Sequence, residues 1–211
     1  MVSGSMKKLL KKEIEHAAEI IKNSGLVIYP TDTVYGLGAD AFDRQAVLRV
    51  FEAKQRRLDK PISIAVASVE QAREVVEWNN AANVIAKKFF PGPLTIILKK
   101  KAKFPDELTA GEDKIGIRIP NHPVALELIK LVGNPITTTS ANISGQPDPR
   151  TAEEAVKQIG KKVDFVLDAG KCKIGEPSTV IDLTAGKVEI IRKGSLSKAT
   201  IEEVLSFSNH L

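Results

Sequence analysis

The sequence predicts a single α/β domain built on a twisted sheet of mixed parallel and antiparallel strands that is flanked by helices. Three observations support this fold class. Apolar runs of strand length and amphipathic segments of helix length mix along the whole chain. The gaps between the predicted strands are of both crossover and hairpin length, which indicates both parallel and antiparallel neighbours. The 211 residues contain no internal repeat and no low-complexity linker, so one domain accounts for them.

Apolar periodicity and capping residues place the elements in the first half of the chain. Residues 8–23 carry apolar side chains at helical spacing, and Gly25 follows as the expected stop. Asp43 can cap a second helix, and Ser68 with Gln71 forms a capping box for a third. The predicted elements are, in order, a helix over 8–23, a strand over 26–29, a helix over 44–53, a strand over 62–67, helices over 68–78 and 80–90, and a strand over 94–98.

The second half follows the same pattern and is richer in strands. Thr151 with Glu154 forms another capping box, and Gly133 ends the helix before it. The predicted elements are a strand over 115–119, a helix over 122–132, a short strand over 136–139, a helix over 151–160, strands over 165–167, 179–183 and 188–191, a hairpin turn over 184–188, and a helix over 198–206.

The predicted domain covers residues 7–206. Residues 1–6 (MVSGSM) resemble the remnant of an expression tag and are left out of the fold.

Composition excludes several classes of site. Cys172 is the single cysteine, so an internal disulfide is impossible and a reducing, cytoplasmic setting is expected. No run approaches the ~18 apolar residues that a membrane helix needs. No Walker A, GxGxxG or GxSxG motif occurs, and the histidines His16, His122 and His210 show no zinc-ligand spacing. The net charge of +5 and the pI of about 9.2 favour an anionic partner, although a solvated lysine-rich surface explains them equally well.

Five polar or glycine-marked stretches follow predicted strands or helices. Two of them carry groups that can bind anions. KQRRLDKP (54–61) packs four cations into seven residues, and these repel each other unless an anion or solvent lies between them. TTTSANISG (137–145) offers hydroxyls and backbone N–H groups that can hold phosphate or ribose oxygens. A solvated loop and a plain Asn- and Ser-rich turn remain the alternatives for these two stretches.

For the other stretches, the flanking residues indicate the conformation or the direction of the side chain. Arg118 lies between two isoleucines in GIRIP (116–120), so its side chain points to the opposite face, either towards solvent or into a cleft where a carboxylate pairs with it. In YPTDTVYGLGAD (29–40), Gly36 and Gly38 are expected to let the backbone turn away before the Asp43 helix. PGPLT (91–95), which lies outside these five stretches, is predicted to be a rigid turn that feeds a strand. The fifth stretch is PSTVID (177–182) with IRKG (191–194).

Taken in this order, YPTDTVYGLGADA, KQRR..KPI, PGPLT, GIRIP, TTTSANISG, PSTVID and IRKG resemble the YrdC family of L-threonylcarbamoyladenylate synthases. The resemblance runs from about Leu26 to Gly194. It implies the short single-domain type, with a concave basic cleft and nucleotidyltransferase activity. L-Threonine and bicarbonate or CO2 give N-carboxy-threonine, whose carbamate oxygen attacks the α-phosphate of ATP. The products are threonylcarbamoyl-AMP and pyrophosphate, the first step of tRNA threonylcarbamoyladenosine modification.

The resemblance also implies roles for individual residues. Lys54 and Arg56 are the expected catalytic cations. The expected contacts of L-threonine are Thr31, Ser63, Arg118, Thr138 and Ser178, and those of ATP are Lys54, Lys114, Ser140 and Arg192. Mg2+ accompanies the ATP without a dedicated protein metal site. The expected partners are a downstream threonylcarbamoyl transferase and tRNA or double-stranded RNA, and no membrane.

Two departures and two rivals accompany this interpretation. Many family members carry Pro where this chain has Arg57, and a His near the positions of Ser63 and Ala65. One rival is a module that binds double-stranded RNA or tRNA without catalysis, whose affinity falls steeply with salt. The other is the YrdC-like domain of hydrogenase-maturation carbamoyltransferases, which are long chains with acylphosphatase and zinc-finger parts that this sequence lacks.

Overall fold

The computed structural model describes residues 4–185 and 188–208, in which ten short strands form two mixed sheets. The strands are β1 (Val27–Tyr29), β2 (Gly36–Gly38), β3 (Ile64–Ala65), β4 (Leu94–Lys99), β5 (Lys114–Arg118), β6 (Ile136–Thr137), β7 (Thr139–Ser140), β8 (Phe165–Val166), β9 (Thr179–Asp182) and β10 (Glu189–Arg192).

Eight α-helices surround these strands in the described residues. They are α1 (Gly4–Lys22), α2 (Arg44–Lys54), α3 (Val69–Val75), α4 (Asn80–Phe89), α5 (Asp106–Thr109), α6 (Pro123–Val132), α7 (Ala152–Ile159) and α8 (Lys198–Ser208), with a 3-10 turn at Gly160–Lys162. None of the helices in this part of the chain is long and apolar enough to cross a lipid bilayer.

The α/β fold class is confirmed, with the difference that the strands divide into two sheets. One sheet has the order β7-β2-β1-β8, and the other has the order β10-β9-β4-β5-β3-β6. Both mix parallel and antiparallel pairs: β1 is antiparallel to β2 and parallel to β8, while β4 is antiparallel to β5 and parallel to β9. The sheets meet where Asp40 bridges to Ile136 and where the Thr137 N–H donates to the Ala39 carbonyl at 2.9 Å.

The predicted helix starts are confirmed by their caps. Asp43 accepts hydrogen bonds from Gln45 N at 2.8 Å and from Ala46 N at 3.2 Å, which satisfies two backbone N–H groups at the start of α2. Ser68 and Thr151 accept in the same way at the starts of α3 and α7. The helices α1 and α6 pack against each other through fully or nearly buried apolar side chains, namely Ile14, Ala17, Ala18, Ile21, Val124, Ala125, Leu128 and Ile129.

The predicted turn at Gly36 and Gly38 is wrong, and two predicted elements are longer than those observed. Gly36 and Gly38 do not form a turn, because they lie in β2 and pair with Tyr29 and Val27 of β1. A Cβ atom at either glycine would lie 3.0 Å from the Tyr29 ring, so glycine is needed there to make room for that ring. The strand expected over 62–67 is reduced to β3, and α3 ends at Val75.

Other differences are smaller. The sequence interpretation missed β2 and α5, and the short strand expected over 136–139 is divided into β6 and β7. The helix α1 begins at Gly4, within the segment that resembles a tag remnant. The hairpin expected over 184–188 includes residues 186 and 187, and His210 lies near the C-terminus; these three positions are outside the described residues.

The centre of the larger sheet has one apolar face and one mixed face, because side chains alternate along each strand. Ile96, Ile117 and Ile181 are opposite one another on β4, β5 and β9 and are fully buried. The residues one position away point to the other face, which therefore carries Thr95, Ile97, Lys114, Gly116, Arg118, Val180 and Asp182. This second face is the floor of the site.

Candidate active site

A cleft of about 390 Å³ lies over the mixed face of the larger sheet. It brings together nine of the ten residues that the resemblance singles out: Thr31, Arg56, Ser63, Lys114, Arg118, Thr138, Ser140, Ser178 and Arg192. The tenth, Lys54, does not line it. The cleft wall carries the cations Arg56, Lys60, Lys114, Arg118 and Arg192 and the carboxylates Asp59 and Glu112.

Arg118 has an anionic partner within the protein itself. Its Nη2 atom lies 2.6 Å from Asp32 Oδ1, and both side chains are only 6% exposed. Its Nη1 atom donates to Thr33 Oγ1 at 2.8 Å, and its Nε atom donates to the Gly92 carbonyl at 3.2 Å. Asp32 supplies the anionic partner that an Arg118 inside a cleft was expected to need, although the sequence interpretation gave Asp32 no role; a contact between Arg118 and the carboxylate of L-threonine stays a prediction.

Thr31 lies at the cleft wall, and its hydroxyl forms hydrogen bonds with backbone groups of the turn that follows it. The Oγ1 atom accepts from Thr33 N at 3.1 Å and Val34 N at 3.3 Å, and it donates to the Val34 carbonyl at 2.7 Å. These bonds form a local threonine turn, which fixes the backbone after β1. A contact between Thr31 and L-threonine stays a prediction, and it requires the hydroxyl to exchange one of these bonds.

Lys54 lies behind the cleft rather than in it. Its Nζ atom donates to the Ser140 carbonyl, to the Asn142 carbonyl at 2.9 Å and to Asn142 Oδ1 at 2.9 Å, so all three N–H groups of the ammonium are used. Lys54 is 1% exposed, and this burial, with the nearby Arg56 charge, lowers its pKa from 10.5 to about 7. A contact between Lys54 and phosphate or carbamate stays a prediction, and it requires the ammonium to exchange one of these three hydrogen bonds.

The loop that Lys54 holds carries Ser140 into the cleft. Ser140 Oγ donates to Asn142 Oδ1 at 2.7 Å, and Asn142 Nδ2 donates to the Gln146 carbonyl at 2.7 Å and to Asp148 Oδ1 at 3.2 Å. Asn142 is 4% exposed and braces the whole turn. The sequence interpretation gave Asn142 no role, and its position two residues after the predicted contact Ser140 is the signal that was available.

Arg56 and Arg192 both line the cleft. Burial is the main cause that lowers the pKa of each, and their mutual repulsion also lowers the pKa of Arg56. The hydrogen bonds described for both guanidinium groups go to neutral oxygens, those of Lys60 and Pro61 for Arg56 and those of Ser178 for Arg192. Two cations that line one cleft and repel each other favour a polyanion between them.

Lys114 is a partly neutralised cation at the start of β5, at the opposite end of that strand from Arg118. Its Nζ atom lies 3.0 Å from Asp182 Oδ2 and 3.6 Å from Glu112 Oε2. The hydrogen bond to Asp182 is the main cause that raises its pKa. About a third of its side chain is exposed, so it can still reach a ligand at the rim.

Ser63 and Thr138 lie side by side above the middle of the floor, where the Thr138 N–H donates to the Ser63 carbonyl at 2.8 Å. Gly116 lies directly below. A Cβ atom at Gly116 would be 2.3 Å from Ser63 Oγ and 3.1 Å from Thr95 Cγ2. Because glycine has no side chain, Ser63 and Thr95 can occupy their positions without a steric clash.

The site can therefore hold several anionic groups in one groove, with cations at both ends and hydroxyls between them. Within the described residues, no group of three or more His, Cys, Asp or Glu side chains could hold a metal ion. Such an arrangement favours chemistry in which the substrates supply the reacting groups and the protein supplies position and charge.

Comparison with known proteins agrees with this geometry. The profile of the Sua5/YciO/YrdC family, described as "Telomere recombination", matches residues 19–194. A threonylcarbamoyl-AMP synthase of Pyrococcus abyssi is 44% identical over 197 residues, which are 92% of this chain and 57% of that protein. A putative threonylcarbamoyl-AMP synthase of Methanocaldococcus jannaschii is 46% identical over 184 residues, which are 87% of this chain and 86% of that protein.

Solved structures show the same likeness. The crystal structure of P. abyssi Sua5 complexed with L-threonine superposes with a TM-score of 0.88 at 44% identity, covering 91% of this chain and 57% of that one. Escherichia coli YciO superposes with a TM-score of 0.80 at 28% identity, covering 90% and 93% of the two chains. The chain thus spans little more than half the length of the P. abyssi protein and most of the M. jannaschii and E. coli proteins.

Proposed function

This chain belongs to the Sua5/YciO/YrdC family, and on that premise we propose that it is an L-threonylcarbamoyladenylate synthase. It converts L-threonine, bicarbonate or CO2, and ATP into threonylcarbamoyl-AMP and pyrophosphate. The observation that carries the proposal is the single cleft in which nine of the ten residues assigned to these substrates lie over one face of one sheet.

The reaction has two steps that need no protein nucleophile. The amino group of L-threonine takes up bicarbonate with loss of water, which gives a carbamate. A carbamate oxygen then forms a bond to the α-phosphorus of ATP while the bond to the β,γ-pyrophosphate breaks. Holding the carbamate and the triphosphate in line, and neutralising the charge that develops on the pyrophosphate, is the work that remains for the protein.

The amino-acid end of the cleft is built around Arg118. Its guanidinium is fixed by Asp32, Thr33 and Gly92, and it presents a planar fork that suits the carboxylate of L-threonine. Thr138 and Ser178 add hydroxyls beside it. That a solved structure of the related P. abyssi Sua5 contains L-threonine supports this end of the proposal.

The nucleotide end is built around Arg56, Arg192 and Ser140. The two guanidinium groups supply positive charge for the phosphates, and Ser140 lies on the loop that Lys54 and Asn142 hold. Lys54 acts on the phosphates through that loop. Mg2+ enters with ATP as part of the substrate, since ATP brings its own oxygen ligands for that ion.

The instability of threonylcarbamoyl-AMP implies a partner enzyme that consumes it. A mixed anhydride of a carbamate and a phosphate hydrolyses readily, so a cleft that excludes water protects it until a threonylcarbamoyl transferase consumes it. That transferase modifies tRNA. The alternative of an RNA-binding module has less support, because a surface that only attracts a polyanion gains nothing from pairing Arg118 with Asp32 and Lys114 with Asp182.

Pyrophosphate release from ATP tests the proposal. Release is expected only when L-threonine and bicarbonate are both present, and L-serine should replace L-threonine poorly. Release that is indifferent to L-threonine overturns the proposal, and salt-sensitive RNA binding without release favours the alternative.

A further inference from the structure

Thr95 and Ser178 place their hydroxyl oxygens 2.9 Å apart on the cleft floor. Thr95 belongs to β4 and Ser178 immediately precedes β9, which is the parallel neighbour of β4. Both residues line the cleft and are nearly buried, at 2% and 4% exposure. The resemblance gives Ser178 a role in L-threonine binding and gives none to Thr95.

The direction of this hydrogen bond follows from counting donors and acceptors. A hydroxyl has one hydrogen and two lone pairs. Ser178 Oγ already accepts from Arg192 Nη2 at 3.2 Å. If Thr95 donates to the same oxygen, both lone pairs of Ser178 are used and its own hydrogen is free to point at a ligand.

The opposite direction would make Thr95, rather than Ser178, the donor that faces a ligand. If Ser178 donated to Thr95, the Thr95 hydrogen would need another acceptor, and in the described part of the chain Ser178 is the only hydrogen-bond partner found for that hydroxyl. A buried donor without an acceptor is costly. The arrangement in which Thr95 donates leaves the Ser178 hydrogen to face the cleft, and we adopt it because it gives Ser178 the contact with L-threonine that the resemblance assigns to it.

The segment that contains Thr95 holds the amino-acid end of the cleft from below. The Gly92 carbonyl accepts from Arg118 Nε at 3.2 Å, and the Pro93 carbonyl accepts from Thr179 N at 3.1 Å. Residues 91–95, interpreted from sequence as a rigid turn only, therefore contact Arg118 and the backbone next to Ser178 as well as the Ser178 hydroxyl.

We propose that Thr95 is a positioning residue that orients the Ser178 hydroxyl as a hydrogen-bond donor to an acceptor oxygen of the bound amino acid. Arg192 strengthens that donor, because a hydrogen bond from a cation to Ser178 Oγ polarises the O–H group. This inference rests on the proposed function for the identity of the amino acid, L-threonine.

The test is direct binding of L-threonine to the full chain by titration calorimetry, with pyrophosphate release measured in parallel. Thr95→Val keeps the shape of the side chain and removes the hydroxyl. We expect it to raise the Kd for L-threonine about five- to tenfold, the loss typical of one hydrogen bond, with the KM for ATP and the melting temperature little changed. Thr95→Ser retains the hydroxyl and should bind as the wild type does.

Two further variants separate orientation from packing. Adding Thr95→Val to Ser178→Ala should weaken binding no further than Ser178→Ala alone, since the donor that Thr95 orients is already gone. Thr109→Val is the matched control: Thr109 is fully buried, and its hydroxyl contacts Lys100 away from the cleft, so L-threonine binding should not change.

Several results overturn the inference: unchanged binding in Thr95→Val, additive losses in the double variant, a larger loss in Thr95→Val than in Ser178→Ala, or no binding of L-threonine to the wild type. The proposed function fails independently if the wild type binds L-threonine but releases no pyrophosphate. In that case a weakened Kd in Thr95→Val still supports the role of Thr95.

Discussion

Arg118 and Asp32 form a buried ion pair at the cleft wall, with 2.6 Å between Nη2 and Oδ1. Asp32 Oδ1 also accepts from the Asn121 N–H at 3.0 Å, so the carboxylate joins the loop after β1 to the end of β5. The pair neutralises a cation that would otherwise be buried alone, and it fixes the plane of the guanidinium. The amino-acid end of the cleft is therefore formed before a ligand arrives.

The first prediction concerns the stability of this pair. Asp32→Asn should lower the free energy of unfolding by about 3 kcal/mol, because it leaves the Arg118 charge buried without compensation. Urea denaturation measures the change. Glu153→Gln, which breaks the exposed Lys157–Glu153 pair, is the control and should have no measurable effect. Equal stability of Asp32→Asn and wild type would show that the pair does not hold this wall.

The second prediction concerns the pH dependence that Lys54 causes. Its pKa is about 7 in the folded protein and 10.5 in the unfolded chain, so between these values the unfolded chain binds more protons. Stability must then rise with pH in this window. Relative to Lys54→Met, the wild type should gain about 2 kcal/mol between about pH 7 and about pH 9.

Urea denaturation of both proteins across that range measures the difference. A stability difference that stays constant with pH, or that shrinks as pH rises, contradicts a depressed pKa for Lys54.

The third prediction separates two neighbouring arginines. Arg56 lines the cleft, whereas Arg57 pairs with Asp59 and has a side chain that is 78% exposed. Arg56→Ala should lower kcat/KM for ATP about ten- to a hundredfold, the loss expected for a charge-assisted hydrogen bond. Arg57→Ala should leave it unchanged. Steady-state rates of pyrophosphate release measure kcat/KM in both variants. Equal losses would mean that the total positive charge of this segment, rather than the position of Arg56, determines the activity.

The fourth prediction concerns the cleft floor. Gly116→Ala places a Cβ atom 2.3 Å from Ser63 Oγ, so Ser63 must move and the L-threonine end of the cleft is deformed. The KM for L-threonine should rise about tenfold, a change equal to about 1.4 kcal/mol. Ser63→Gly removes the obstructing side chain, so adding it to Gly116→Ala should recover part of the affinity. A normal KM in Gly116→Ala would mean that the ligand does not approach this part of the floor.

Local patterns in the sequence were enough for most of the framework. Asp43, Ser68 and Thr151 predict helix starts, because the side chain of a capping residue accepts hydrogen bonds from backbone N–H groups only two or three residues away. β4, β5 and β9 are apparent from their apolar runs. β2 was missed because Gly-Leu-Gly has no apolar alternation. It forms a strand by pairing with β1, where the Tyr29 ring leaves little room for a Cβ atom.

The contacts that build the site were less accessible, because they join distant parts of the chain. The alternation around Arg118 predicts an anionic partner but cannot say that it is Asp32, which lies 86 residues away. The family resemblance placed Lys54 among the ATP contacts, but it could not show that the ammonium reaches Asn142, 88 residues on. Composition and spacing identify groups that need partners, and only the fold decides which partners they find.

The measurement that tests the central claim most directly is the fate of carbon from 13C-labelled bicarbonate in a reaction with ATP and L-threonine. The account predicts a threonylcarbamoyl-AMP product, detected by mass spectrometry, that carries the label in its carbamoyl group. The product should be absent when L-threonine is omitted and absent from Arg118→Ala protein that remains folded. Conversion of ATP without a labelled adduct, or labelling that does not depend on L-threonine, would contradict the account.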